Sequence, residues 1–203
     1  MTEDFFNQKQ RLFDRWAPAY DIIFTTIFYQ SLHKRLLEYI EFPDFPNVLD
    51  LGCGTGRLLN RLASLFPKLH GIGFDFSPEM LSQAKNTNRY PYRINYVQGN
   101  VESLPFTEHK FDAIFNSISF LHYPNPETVL SEIKRVLRPG GYYYLVDYTD
   151  RWAIEPTIKS NMSPGGLRFY SPIVREDLGK KVGLNCVGHH YLLGPVLLTI
   201  FQG

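Results

Sequence analysis

Apolar positions recur at helical spacing through the first forty residues. Phe5, Phe6, Leu12, Phe13 and Trp16 form one set and residues 22–40 another, so two amphipathic helices are predicted, with Pro18 breaking them. From Pro46 onward, the pattern changes to short apolar runs separated by helical stretches. Strands of a parallel sheet are buried on both faces while the helices between them expose one side, so this alternation predicts βαβ units. Strands are expected at 47–51, 69–74, 94–98, 111–116 and 141–148, and helices over 57–66 and 127–137. Ser77 followed by Pro78 suits a helix N-cap and first position. Residues 150–170 contain Pro156, Pro164, Gly165 and Gly166 without a clear period, and they read as an excursion over the top of the sheet. Helix returns over 171–182 with Gly183 as its stop, and two strands, 184–191 and 196–201, follow around a Gly194, Pro195 turn.

Composition narrows the function classes. The 203 residues, 44% of them hydrophobic, are enough for one α/β domain with a substantial core. Twenty-one basic residues against twenty acidic ones leave no net field to gather phosphate backbones, so nucleic acid is not an expected partner. Cys53 and Cys186 make no disulfide framework and lie in no zinc spacing. His33, His70, His109, His189 and His190 form no ligand cluster along the chain, and no metal is expected. The start MTEDFFNQKQRLFDRW lacks the order of a signal peptide, and the apolar tail LLGPVLLTIF is about half the ~20 residues that span a bilayer. A soluble, cytoplasmic protein is expected, with peripheral membrane contact through a short apolar face at most.

The chemistry concentrates in VLDLGCGTGRLL, where a buried strand leads through Gly52, Gly54 and Gly56 into a helix. Glycines let a backbone turn tightly and approach a ligand closely. A dehydrogenase fingerprint needs glycines at first, third and sixth places, and here the sixth place is Arg57. In GIGFDFSPEML, Asp75 ends the second strand and stands where a carboxylate accepts hydrogen bonds from both ribose hydroxyls, with Phe76 beside it to pack on an adenine. Its plainer alternative is a helix cap, a task that Ser77 already performs.

Taken in order, DLGCGTG, GFDFSPEML, GNVESLPF, FDAIFNSISFLHY and LRPGGYYYLVDY resemble the successive motifs of class I S-adenosyl-L-methionine (SAM)-dependent methyltransferases. The resemblance implies a Rossmann-like, mostly parallel α/β sheet of seven strands in the order 3-2-1-4-5-7-6, strand 7 antiparallel, with helices on both faces. It implies SAM as cofactor and S-adenosyl-L-homocysteine as product. Asp50 and the Gly52 backbone would meet the methionine amino end, within a loop that includes Cys53, Gly54 and Gly56. Asp75 would meet the ribose, Asn100 and Val101 the adenine edge, and Asn116 and Ser117 the methionine part. The family usually has Asp where Asn100 stands, so a neutral amide oxygen replaces a charged acceptor. A single domain over 1–203 follows: a helical cap to residue 45, a cofactor-binding core over 46–148, a lid-like insertion over 149–170 and a C-terminal helix and hairpin.

His122 follows the fourth strand, and two readings stand. A near-neutral imidazole suits a general base for an acceptor hydroxyl or amine, and the plainer, favoured reading is a group that hydrogen-bonds the main chain or water at the cofactor's edge. The stretch RLFDRWAPAYDIIF, with His33 beyond it, and the tail GPVLLTIFQG resemble the ubiquinone and menaquinone C-methyltransferases. Tyr20 would then close over the methyl donor with Asp21 fixing the loop; the alternative is a helix packing its aromatics on the core. Trp152, Met162, Phe169 and Tyr170 would cover the cofactor, which favours a small, partly hydrophobic acceptor, a quinol precursor among them. The rival expectations are a SAM-binding module without catalysis and a nicotinamide-dependent oxidoreductase.

Overall fold

Seven of the apolar runs assemble into one sheet. The computed structural model describes residues 11, 23–159 and 166–203. Its strands are β1 (Asn47–Leu51), β2 (His70–Asp75), β3 (Ile94–Gln98), β4 (Phe111–Ser117), β5 (Leu137–Tyr148), β6 (Thr157–Lys159), β7 (Leu167–Phe169), β8 (Asn185–Leu193) and β9 (Val196–Gln202). The helices are α1 (Ile23–Leu36), α2 (Arg57–Leu65), α3 (Pro78–Thr87), α4 (Pro126–Val136) and α5 (Pro172–Lys181). The main sheet runs β3-β2-β1-β4-β5-β9-β8. With the small β6-β7 pair set apart, this is the expected order, and β9 lies antiparallel to both of its neighbours.

Side chains alternate across the sheet, so each strand feeds two apolar layers. Leu49, Leu51, Ile114 and Leu145 pack under α4 and α5, while Val48, Ala113, Phe115 and Val146 pack under α1 and α2. Local signals explain the boundaries. The Ser77 and Ser171 side chains accept from the third residue beyond, Met80 and Val174, and each precedes a proline at the helix start. Gly183 and Gly194 take positive φ at the predicted stop and turn.

The apolar set of the first expected helix and the Pro18 break lie outside the described residues, among which two elements differ from the expected ones. β5 begins at Leu137 rather than 141, because Pro139 and the left-handed Gly140 sit in a bulge opposite β4 instead of in a separate turn. The excursion after Asp150 contains the antiparallel pair of β6 and β7, whose three-residue strands are too short to show a period. Among the described residues, no helix is long and apolar enough to cross a membrane.

Candidate functional site

The carboxyl ends of β1, β2 and β4 surround a cleft, the place where open α/β sheets bind ligands. Its floor is the glycine loop, which β2 holds by three successive donors. Gly52 N–H gives to Phe74 O at 2.8 Å, Cys53 N–H to the same oxygen at 3.2 Å, and Gly54 N–H to Asp75 Oδ2 at 2.8 Å. All three glycines have positive φ. A Cβ on Gly52 would lie 2.5 Å from Ser119 Oγ, whereas one on Gly54 would meet nothing within 4 Å. Gly52 is therefore required by packing, and Gly54 leaves open a space that a ligand can enter.

Behind the loop stands a polar clamp. Asn116 Nδ2 lies 2.8 Å from Leu51 O, 2.7 Å from Ser119 Oγ and 2.9 Å from Tyr123 Oη, and its two hydrogens are shared among these three oxygens. Ser119 is brought there by Ile118, whose φ of 53° is costly for a β-branched residue and is fixed by its N–H bond to Val146 O. The following turn is held by the buried Asp147, whose carboxylate accepts from Leu121 N–H at 2.9 Å and Tyr148 N–H at 2.8 Å. Burial pushes Asp147 up to about 7, while Arg175 and these donors pull the other way.

Of the residues expected at the site, Asp50, Gly52, Cys53, Gly54, Asp75, Phe76, Asn100, Val101, Ser117 and His122 line the cleft. Gly56 and Asn116 stand behind it, Gly56 as the residue before α2 and Asn116 as the centre of the clamp. Tyr20, Asp21 and Met162 lie outside the described residues. Trp152, Phe169 and Tyr170 do not line the cleft: Trp152 is 84% exposed, and Tyr170 packs on Phe120 with ring centroids 5.3 Å apart.

Tyr29 and His33 of α1 form part of the wall, together with Met80, Ile118, Ser119 and Tyr123. Sequence gives little warning of Tyr29, which reads as an ordinary position on an amphipathic helix, whereas His33 is named through the resemblance to the quinone C-methyltransferases. Burial, aided by Arg61 and Arg57, lowers His33 to about 3, so the imidazole in the wall is neutral. Asp50 is pushed well above the usual carboxylate range by burial, with the Asp75 charge adding to it. A buried carboxyl beside a second acid is a place where a ligand cation lowers the energy of the charged form. An amino-acid nucleoside with a sulfonium and an ammonium fits this donor set, and the space beside Gly54 fits its close approach.

Asp75 serves both the loop and the next helix, for Oδ1 accepts from Ser77 N–H at 2.9 Å while Oδ2 holds Gly54. Asn100 is likewise committed in part: its Oδ1 accepts from Glu102 N–H at 3.0 Å in a side-chain turn.

Comparison with known proteins agrees with this architecture. Residues 48–141 match the family model described as a methyltransferase domain. An uncharacterised methyltransferase of Synechocystis is 32% identical over 179 residues, covering 84% of this chain and 82% of that protein. The demethylmenaquinone methyltransferase of Listeria monocytogenes is 30% identical over 154 residues, 72% of this chain, and the chain spans 65% of its length. Among solved structures, a putative methyltransferase of Haloferax volcanii in complex with the Trm112 activator superposes with a TM-score of 0.80. It is 21% identical, and the match covers 94% of this chain and 96% of that one. The expected alternative of a nicotinamide-dependent oxidoreductase falls with these matches, and SAM is the cofactor. With its sheet order, glycine loop and relatives in agreement, the chain belongs to the class I SAM-dependent methyltransferases.

Proposed function

We propose that the protein methylates a small, partly hydrophobic acceptor seated between the glycine loop and α1. The observation that carries this reading is the cleft wall of Tyr29, Ile118 and Tyr123, with a neutral His33 among them. Such a wall favours an apolar or aromatic molecule over a charged one. The likeness to a demethylmenaquinone methyltransferase supports a quinol precursor as one such acceptor.

When bound, SAM supplies an activated methyl on a sulfonium leaving group. The protein's tasks are to hold, align and keep out water. Asp50 would balance the ammonium, and Gly52 would offer its carbonyl, since its N–H is already given to Phe74. Asp75, whose carboxylate accepts from Gly54 N–H and Ser77 N–H, would also receive the ribose hydroxyls. Phe76, Met80 and Val101 would flank the adenine, with Asn100 at its edge through the second lone pair of Oδ1. Ser117 and His122 border the acceptor side.

His122 is proposed to take the proton from an acceptor hydroxyl or carbon acid. Release of S-adenosyl-L-homocysteine should be followed with a panel of hydroxy-aromatic acceptors and short polar amines, on wild type and His122→Ala. Turnover confined to the aromatic acceptors, lowered about 100-fold in the variant with SAM affinity unchanged, is the expected result. Full turnover by the variant removes the base role and leaves the cofactor assignment standing. SAM binding without transfer to any acceptor favours the non-catalytic module.

A further inference from the structure

The far edge of the sheet holds a second group of donors that sequence spacing does not bring together. Cys186 and His189 lie three apart on β8, and in an unbroken strand such residues point to opposite faces. Here the pairing slips: Cys186 stands opposite Phe201, Gly188 opposite Ile200 and His189 opposite Thr199. One extra residue on β8 makes a bulge, which turns His189 to the face that Cys186 shares with α5. Glu176 reaches this face from α5. His189 Nε2 lies 2.9 Å from Glu176 Oε1 and 3.6 Å from Cys186 Sγ, and the three donor atoms are within 4.8 Å of one another.

These separations suit a tetrahedral ion. Bonds of about 2.0 Å to nitrogen and 2.3 Å to sulfur put the two donors about 3.5 Å apart at the tetrahedral angle. The Nε2 to Glu176 distance needs to open by a few tenths of an ångström, and Glu176 is free to do so because its side chain is 53% exposed. The other ring nitrogen is already oriented. His189 Nδ1 lies 3.0 Å from Thr199 Oγ1, which is also held by the buried Arg175 at 3.2 Å. A fixed outer partner of this kind is what a metal-binding imidazole requires. The entrance lies on the Glu176 side, while His189 is 18% exposed and Cys186 half-buried.

We propose that Glu176, Cys186 and His189 form a mononuclear site for a borderline-soft divalent transition-metal ion, Zn2+ foremost, with water in the fourth position. The donor set speaks against Ca2+ and Mg2+, which take oxygen ligands in greater number. No residue of the cofactor cleft takes part, so the site stands or falls separately from the methyl-transfer reading.

The test uses tag-free, chelator-treated protein of these 203 residues titrated with Zn2+ against a chromophoric chelator, with Co2+ as a spectroscopic substitute. One equivalent is expected to bind, with Co2+ giving tetrahedral d–d bands and a thiolate charge-transfer band. Glu176→Gln and Cys186→Ser should each weaken binding at least about 10–100-fold, and Cys186→Ser should abolish the charge-transfer band. Glu176→Gln alters only an exposed side chain, and SAM affinity checks the fold of both variants. Absence of a bound equivalent, or one held equally by wild type and both variants, overturns the proposal.

Discussion

The cofactor cleft and the far edge of the sheet solve the same problem, a fixed polar site in a largely apolar sheet, by different means. In the cleft, backbone groups do most of the holding: the N–H groups of Gly52, Cys53 and Gly54 end on Phe74 O and Asp75. Towards the far edge, under α5 and over β5 and β9, one side chain does it. Arg175, 1% exposed, donates to carbonyls of Leu145, Asp147, Tyr148, Tyr170 and Leu197 and to the Thr199 hydroxyl. A backbone cradle is read from glycine spacing, whereas a buried cation leaves one unremarkable letter in a helix.

The contrast is broken most forcefully at Arg175. Arg175→Met should cost about 3–5 kcal/mol, lowering the melting temperature on the order of 10 °C, because it orphans buried acceptors. Isothermal titration on the remaining folded protein should find SAM affinity within about twofold of wild type. A large loss of affinity with an unchanged melting point would reverse the roles assigned to the two regions.

The glycine loop is the next point of attack. Gly52→Ala adds a methyl at positive φ against Ser119 and should cost about 3 kcal/mol together with SAM binding. Gly54→Ala meets no protein atom, so it should cost about 1 kcal/mol in stability yet weaken SAM about 100-fold. Equal effects of the two on melting would show that Gly54 is structural as well.

The smallest effect is a difference in pH dependence. His33, lowered from 6.5 to about 3, contributes stability that is present above pH 6.5 and lost as pH falls towards 3. Asp147, raised from 3.8 to about 7, contributes stability that is full below pH 4 and lost as pH rises through 7. Melting curves between pH 5 and pH 7.5 should therefore show His33→Gln gaining on wild type as the solution is acidified, by about 1–2 kcal/mol at most. Asp147→Asn should gain on wild type as it is made alkaline. Parallel curves for both variants would mean that neither group titrates away from its ordinary range.

Much of the cleft was legible because each signal was local. Gly52, Asp75, Ser77 and Asn100 announce themselves by position relative to a strand end, and the strand runs themselves set the sheet order through the motifs they carry. Tyr29 and Ser119 were not legible, since their roles depend on which helix lies over which strand and on a strained Ile118. The Glu176, Cys186 and His189 group was hidden for a different reason: the bulge in β8 reverses the face on which a three-residue spacing falls. The aromatics of 152–170 erred the other way, showing composition fit for a lid while Trp152 faces solvent.

Arg175 also bears on the order in which the chain assembles. Its acceptors come from the end of β5, the approach to α5 and the last strand, 22 to 30 residues away for the carbonyls of Leu197 and Leu145. Until all three segments meet, desolvating the guanidinium is uphill, so the C-terminal third is expected to close in one late cooperative step. On a ribosome, that step waits until β9 has left the exit tunnel, and a nascent chain stalled before Leu197 holds its cofactor strands complete but its far edge open.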